Sequence, residues 1–221
     1  MVLEGPVRIA VILGPTASGK TGLAIEAALE TDAEIISADS QLVYKYMDIG
    51  TAKPCAAQMN GIPHHLIDIV EPDGQFNVGD YVNLAERAIK DIASRGKNVI
   101  VVGGTGLYIR TLLHGLDERP KADKKIRERL ERDLEERGVK YLYRKLKEAD
   151  QIAAEMIHEN NAVRIIRALE VIELSNRPVS DFRPKESVRF NACIIGLDAP
   201  REELYSRINS RVDEMIESGW E

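Results

Sequence analysis

The chain has 221 residues, 44% hydrophobic and 30% charged, with 30 Lys and Arg against 36 Asp and Glu for a formal net charge of −6. That length can bury a full core, and the acidic balance speaks against sequence-blind coating of nucleic acid, which needs a broad positive field, while leaving room for a local basic patch. No apolar run reaches the roughly 20 residues of a membrane span, the opening MVLEGPVR lacks a signal-peptide pattern, and Cys55 and Cys193 stand apart from any metal-binding spacing, so a cytoplasmic protein without disulfides or zinc is expected.

Along the chain, apolar spacing predicts a strand at Val7 to Leu13, a helix from Lys20 to about Leu29 and a short strand at Glu34 to Ser37. A second cycle follows: HHLIDIV as a strand, Val78 to Ser94 as an amphipathic helix, and NVIVV as a buried strand closed by Gly103 and Gly104. TGLYIRTLLHG reads as a further helix stopped by Gly115. Strand and helix alternating in this way imply a mostly parallel sheet covered on both faces.

After Leu116 the apolar residues stand singly among charges, as in KKIRERLERDLEERG, which predicts long exposed helices. Strand pattern returns only at FNACIIGLDAP, before a last helix from Arg201 to Ser218. The expected organisation is therefore an α/β core of residues 1–116 and 189–221, interrupted by a helical insertion of residues 117–188. From Asp117 to Glu148 there are 12 Lys and Arg against nine Asp and Glu, a local positive excess suited to tracking a nucleic-acid backbone.

The sequence LGPTASGKTGLA, between a predicted strand and a predicted helix, completes the pattern G-x-x-x-x-G-K-[ST] with Gly14, Gly19, Lys20 and Thr21. Backbone N–H groups turned inward by the glycines, a helix N-terminus, the Lys20 ammonium and a Thr21 hydroxyl able to ligate magnesium together make a site for a di- or triphosphate. Thr16, Ala17 and Ser18 complete the loop. Asp39 follows the strand EIIS, where open parallel sheets place their ligands. Its residue type fits two roles: organising magnesium in a small-molecule kinase, or acting as general base towards a nucleophile.

The stretches SADSQLVYKYMDIGTAKP, GIPHHLIDIVEPDGQFNVGDY, VVGGTGLYI and RIIRALEV resemble the tRNA dimethylallyltransferases, also called tRNA isopentenyltransferases. That resemblance implies a P-loop α/β core with a helical, tRNA-binding insertion, and transfer of a dimethylallyl group from dimethylallyl diphosphate to the exocyclic amine of the adenosine 3′ of the anticodon. Adenylate isopentenyltransferases and P-loop kinases are the alternatives. The loop from Gly14 to Thr21 would then hold a departing diphosphate, with Mg2+ on Thr21, Lys20 stabilising the leaving group and Asp39 taking the amine proton. The resemblance also assigns Thr105 to the active site, Asp39, Ser40, Gln41 and Leu42 to a strip gripping the target nucleotide, and Val163, Arg164, Ile165, Ile166, Arg167 and Arg127 to tRNA contact. A tRNA anticodon stem-loop and dimethylallyl diphosphate are the expected partners of a monomer.

Asn160, Arg164 and Arg167 are spaced to share one helix face opposite Val163, Ile166 and Leu169. Thr105 also sits where a helix N-cap is expected, and the adjacent His64 and His65 would face opposite sides of a strand rather than pair on a metal. Against the family pattern, His158-Glu159-Asn160-Asn161 stands where His-Pro-Asn-Asp is usual, and the C-terminal helices that follow a segment like EMIESGWE are not in this sequence.

Overall fold

The computed structural model describes residues 6–116, 118–182 and 189–220. They form two compact units, one of residues 6–115 with 189–220 and one of residues 116 and 118–182.

The first unit is built on a five-stranded, all-parallel sheet of β1 (Arg8–Leu13), β2 (Ala33–Ser37), β3 (His64–His65), β4 (Asn98–Gly103) and β5 (Asn191–Gly196), in the order β3-β2-β4-β1-β5. Its central strands are near-continuous apolar runs because both faces are covered. Successive residues serve opposite faces: Val11, Ile36 and Val101 pack under α3 (Val78–Ser94) and α4 (Gly106–His114), while Ile12, Ile35 and Ile100 pack under α1 (Lys20–Thr31). The helix α3 begins where Asn77 accepts from the N–H groups of Gly79 and Asp80 while Asp80 accepts from that of Asn77, a reciprocal cap. A short α2 (Ala56–Met59) precedes β3, and α9 (Arg201–Glu217) follows β5. Cys55 and Cys193 are both free and exposed, so neither packs in a core.

The extended run expected over His64–Val70 is confined to the two residues of β3, with a single parallel bridge from Tyr44 to Val70 further on. Leu66 at φ 64° and Asp68 at φ 55° break it, because left-handed residues cannot continue a pleated strand.

The second unit comprises α5 (Lys124–Arg137), α6 (Val139–Ala149), α7 (Gln151–Met156), α8 (Ala162–Ser175) and a 3₁₀ turn at Val179–Asp181. Its core collects the isolated apolar residues of the charged segment, Leu130, Leu142 and Leu146, against Ile165, Ile166 and Leu169 of α8. Asp150 caps α7 by accepting from Ala153 N–H and also takes both the N–H and hydroxyl of Ser180, which tethers the turn to the helices. These contacts, despite the opposing effect of its burial, leave the Asp150 carboxyl below its usual range.

Candidate active site

Three loops leave the C-terminal ends of β1, β2 and β4 along one edge of the sheet, and each carries candidate residues. After β1, the segment Gly14–Thr21 wraps the N-terminus of α1. Gly19, at φ 87°, occupies a left-handed conformation that a side chain would strain. Lys20 donates from Nζ to the Pro15 carbonyl at 2.5 Å. Burial pushes its ammonium below the ordinary lysine range, opposed by the nearby charge of Asp39 and assisted by that of Arg211. The Ser18 hydroxyl is buried with no hydrogen-bond partner among the described residues, whereas Thr16 and Thr21 are exposed.

After β2, the backbone is fastened to the end of β4. Ala38 donates to the Val102 carbonyl at 2.7 Å and accepts from Thr105 N–H at 3.1 Å. This approach is so close that a Cβ on Gly103 would lie 2.2 Å from the Ala38 oxygen, which requires glycine there. Thr105 precedes α4 in the N-cap position, but its hydroxyl does not cap the helix; it accepts from Ser40 N–H at 3.0 Å. Asp39 accepts from Gln41 N–H at 2.8 Å, turning the chain so that Asp39 and Ser40 are half-buried and Gln41 is exposed. Leu42 and Val43 then accept backbone bonds from Asp68, Ile69 and Val70.

The charge of Asp39, which opposes the lowering of Lys20, puts this strip within electrostatic reach of the phosphate loop. Tyr108, buried on α4, is raised by its burial and by Tyr44, Asp39 and Asp80, which places an aromatic hydroxyl in the same charge environment.

Two arginines absent from the sequence-based candidates reach this region from α9. Arg207 donates to the Ala17 carbonyl at 3.2 Å while pairing with Glu203, and Arg211 donates to the Thr51 carbonyl at 3.2 Å. Their i, i+4 spacing in YSRINSRV puts both on one face of a helix, the available signal.

The candidates of the helical unit separate into two groups. Arg127 and Arg167 both pair with the fully buried carboxylate of Glu170, at 3.0 and 2.6 Å; Arg167 also donates to the Pro120 carbonyl, and Glu170 accepts from Asp123 N–H. Ile165 and Ile166 are buried in the unit's core. Val163, 79% exposed, and Arg164 face outwards. Hence the expected helix face is corrected at two points. Asn160 lies before the helix, because Asn161 takes the cap by accepting from Arg164 N–H, and Val163 in the first turn is uncovered rather than packed with Ile166 and Leu169.

His64 and His65 do not share a ligand: His64 Nδ1 contacts the Ile62 carbonyl, and His65 Nε2 contacts Glu34. No group of three or more His, Cys, Asp or Glu side chains among the described residues is arranged to hold a metal. No helix in this set is long and apolar enough to cross a membrane.

Residues 42–221 match the family described as IPP transferase. The chain belongs to that family. Among the curated members, it is 49% identical over 222 residues to tRNA dimethylallyltransferase 2 of Geotalea daltonii, covering 99% of this chain and 68% of that protein. It is 50% identical over 216 residues to the tRNA dimethylallyltransferase of Acetivibrio thermocellus, covering 96% and 69%. Among solved structures, the tRNA isopentenylpyrophosphate transferase of Bacillus halodurans matches with a TM-score of 0.64 at 44% identity, over 96% of this chain and 67% of that one. A eukaryotic dimethylallyltransferase acting on tRNA matches with a TM-score of 0.82 at 31% identity, over 96% and 54%. As a member of the IPP transferase family, the chain has the P-loop α/β fold that its motif implied.

Proposed function

We propose that this protein transfers the dimethylallyl group of dimethylallyl diphosphate to the N6 amine of the adenosine 3′ of the anticodon in tRNA. The observation that carries this reading is that the phosphate loop after β1 and Asp39 after β2 lie at the same end of one parallel sheet, with Thr105, after β4, bonded to Ser40. A phosphate cradle and a carboxylate carried at the same end of the sheet suit a reaction in which the diphosphate leaves whole.

Gly14, Thr16, Ala17, Ser18, Gly19, Lys20 and Thr21 bind the diphosphate through backbone N–H groups, hydroxyls and the ammonium. The buried hydroxyl of Ser18, without a hydrogen-bond partner among the described residues, and the carbonyl-held ammonium of Lys20 are donors suited to phosphate oxygens. Arg207 and Arg211 add positive charge from α9. The bond from the adenine nitrogen to the allylic carbon forms as the carbon–oxygen bond to diphosphate breaks, and the electron pair departs with the diphosphate. The amine proton passes to Asp39. Donors aimed at the charge that develops on the leaving group lower the barrier.

The donor set also fits Mg2+ shared with phosphate. An exposed Thr21 hydroxyl, without a dedicated cluster of carboxylates among the described residues, leaves most ligand positions to diphosphate oxygens and water. Bound there, the ion would supply neutralisation of the leaving group's charge.

Asp39, Ser40, Gln41 and Leu42 form the acceptor strip, with Thr105 fixing its first turn. The target base must leave its stack to reach that strip, a cost of a few kcal/mol that is least in an already unpaired loop. Val163 and Arg164 are the exposed RNA-contacting members of the helical unit, whereas the half-exposed Arg127 and Arg167 spend their charge on buried Glu170, and Ile165 and Ile166 pack in the unit's core.

The deciding experiment supplies labelled dimethylallyl diphosphate with an anticodon stem-loop and, in parallel, free AMP. Label on the stem-loop is the expected result. Label on AMP would move the protein to the adenylate-prenylating class, and phosphate release from ATP without prenyl transfer would make it a kinase or hydrolase.

A further inference from the structure

Beyond Asp39, the acceptor strip runs into a turn governed by one buried cation. The Lys53 side chain is only 5% exposed, although its carboxylate partners Asp48 and Asp68 are 65% and 48% exposed. Its Nζ donates to the Tyr44 carbonyl at 2.8 Å, to Asp48 at 2.6 Å and to Asp68. An ammonium has three N–H donors, and here each has its own acceptor. The three acceptors come from separate places: the end of the strip, the turn after it, and the left-handed segment that follows β3. Burying a cation is costly unless it is fully paired, and an apolar side chain of similar volume would fill the space more cheaply if packing were all that mattered.

We propose that Lys53 is a positioning residue for the acceptor site, a post that fixes the far end of the strip while Thr105 fixes the near end. At the near end, Ser40 N–H is held by the Thr105 hydroxyl; at the far end, the Tyr44 carbonyl is held by the Lys53 ammonium. Between these two anchors lie Gln41, Leu42 and Val43, and Val43 is wholly buried. The strip therefore has little freedom to shift along its own direction. Neighbouring contacts reinforce the post: Lys45 N–H donates to the Val70 carbonyl, and Arg211 ties down the Thr51 carbonyl within the same turn. Among the described residues no hydrogen bond or ion pair joins Lys53 to the phosphate loop, so its influence on the donor substrate is remote.

This inference rests on the reading of Asp39–Leu42 as the acceptor strip, and its test separates the two. Transfer to an anticodon stem-loop is measured with wild type, Lys53→Met and Lys53→Arg, alongside binding of inorganic diphosphate. Lys53→Met is expected to lower kcat/KM for the stem-loop by about tenfold to a hundredfold, the scale of an ångström-sized misplacement, with diphosphate affinity unchanged. Lys53→Arg is expected to recover part of the loss, because it keeps the charge and donors but not their compact geometry. Unchanged stem-loop kinetics, or a parallel loss of diphosphate binding, would overturn the positioning role while the transferase reading stands. If Lys53→Met does not fold, Asp68→Ala removes one anchor and keeps the ammonium; the same selective loss is expected, and its absence refutes the proposal. A wild-type protein that leaves the stem-loop unmodified refutes both readings together.

Discussion

The cations beside the phosphate loop and those of the helical unit's buried cluster are held in different ways. Around the phosphate loop, Lys20 reaches the Pro15 carbonyl and Arg207 the Ala17 carbonyl, so these charges rest partly on neutral backbone acceptors that a diphosphate can outcompete. In the helical unit, Arg127 and Arg167 converge on the buried carboxylate of Glu170, which lacks access to water and requires their charge. A positive count over a segment is thus no measure of positive charge on offer. What separates the two regions is the partner each cation already has.

This contrast can be broken most sharply at Asp39. Asp39→Asn is expected to lower kcat for prenyl transfer by about a hundredfold to ten-thousandfold, the usual contribution of a general base, with inorganic diphosphate binding by titration calorimetry left in place. Loss of both together would mean that the carboxylate organises the phosphate site instead. In the helical unit the expected effect is on folding: Glu170→Ala should cost about 1–3 kcal/mol in urea unfolding, with part of the arginine charge recovering hydration at the surface. An unchanged midpoint would show that the cluster does not hold the unit together.

A finer comparison sets Arg164 against Arg127. Arg164→Ala should reduce the slope of log affinity against log salt for an anticodon stem-loop by about one, with thermal stability unchanged. Arg127→Ala should do the reverse and lower stability. Equal salt slopes for the two variants would remove the distinction drawn between them.

The gentlest probe uses pH. Glu34, buried near the start of β2, is held down to about 2 from an ordinary 4.5, chiefly by its hydrogen bonds from Arg95 against the opposing effect of burial, with His65 adding to the pull. A carboxylate with a depressed folded pKa contributes stability above its unfolded pKa and loses it as pH falls. Stability should therefore decline as pH drops from about 4.5 towards about 2, and Glu34→Gln should flatten that part of the profile. An equally steep profile in the variant would place the acid sensitivity elsewhere.

How much of this could be read from residue order depends on what enforces each feature. The phosphate loop was legible because its backbone demands glycine and because Lys20 and Thr21 must follow at a set spacing. β1, β2 and β4 were legible as buried apolar runs. The break at Leu66 and Asp68 was not, since leucine carries no signal for a left-handed turn and a lone aspartate inside an apolar run carries only a weak one, so HHLIDIV reads as strand. Two successive asparagines offer cap positions one residue apart, and the cap by Asn161 put Asn160 outside the helix. The pairing of Arg127 with Glu170 joins residues 43 apart in the chain and carries no local periodicity. Lys53 looked like any other lysine, because its burial depends on three acceptors brought together only by the fold.

The strand order has a further consequence, for how the site comes into being. β1 carries the phosphate loop and β2 leads to Asp39, yet the two never pair; β4, some sixty residues later in the chain, lies between them. Until that strand is seated, the donor and acceptor halves have no common frame, and such long-range closure is slow to nucleate. Ile100 and Val101 each face a partner on both sides, so fraying β4 would dissolve both halves at once. The amides of that one strand should accordingly be among the last to exchange with solvent, and their opening would set the lifetime of the assembled site.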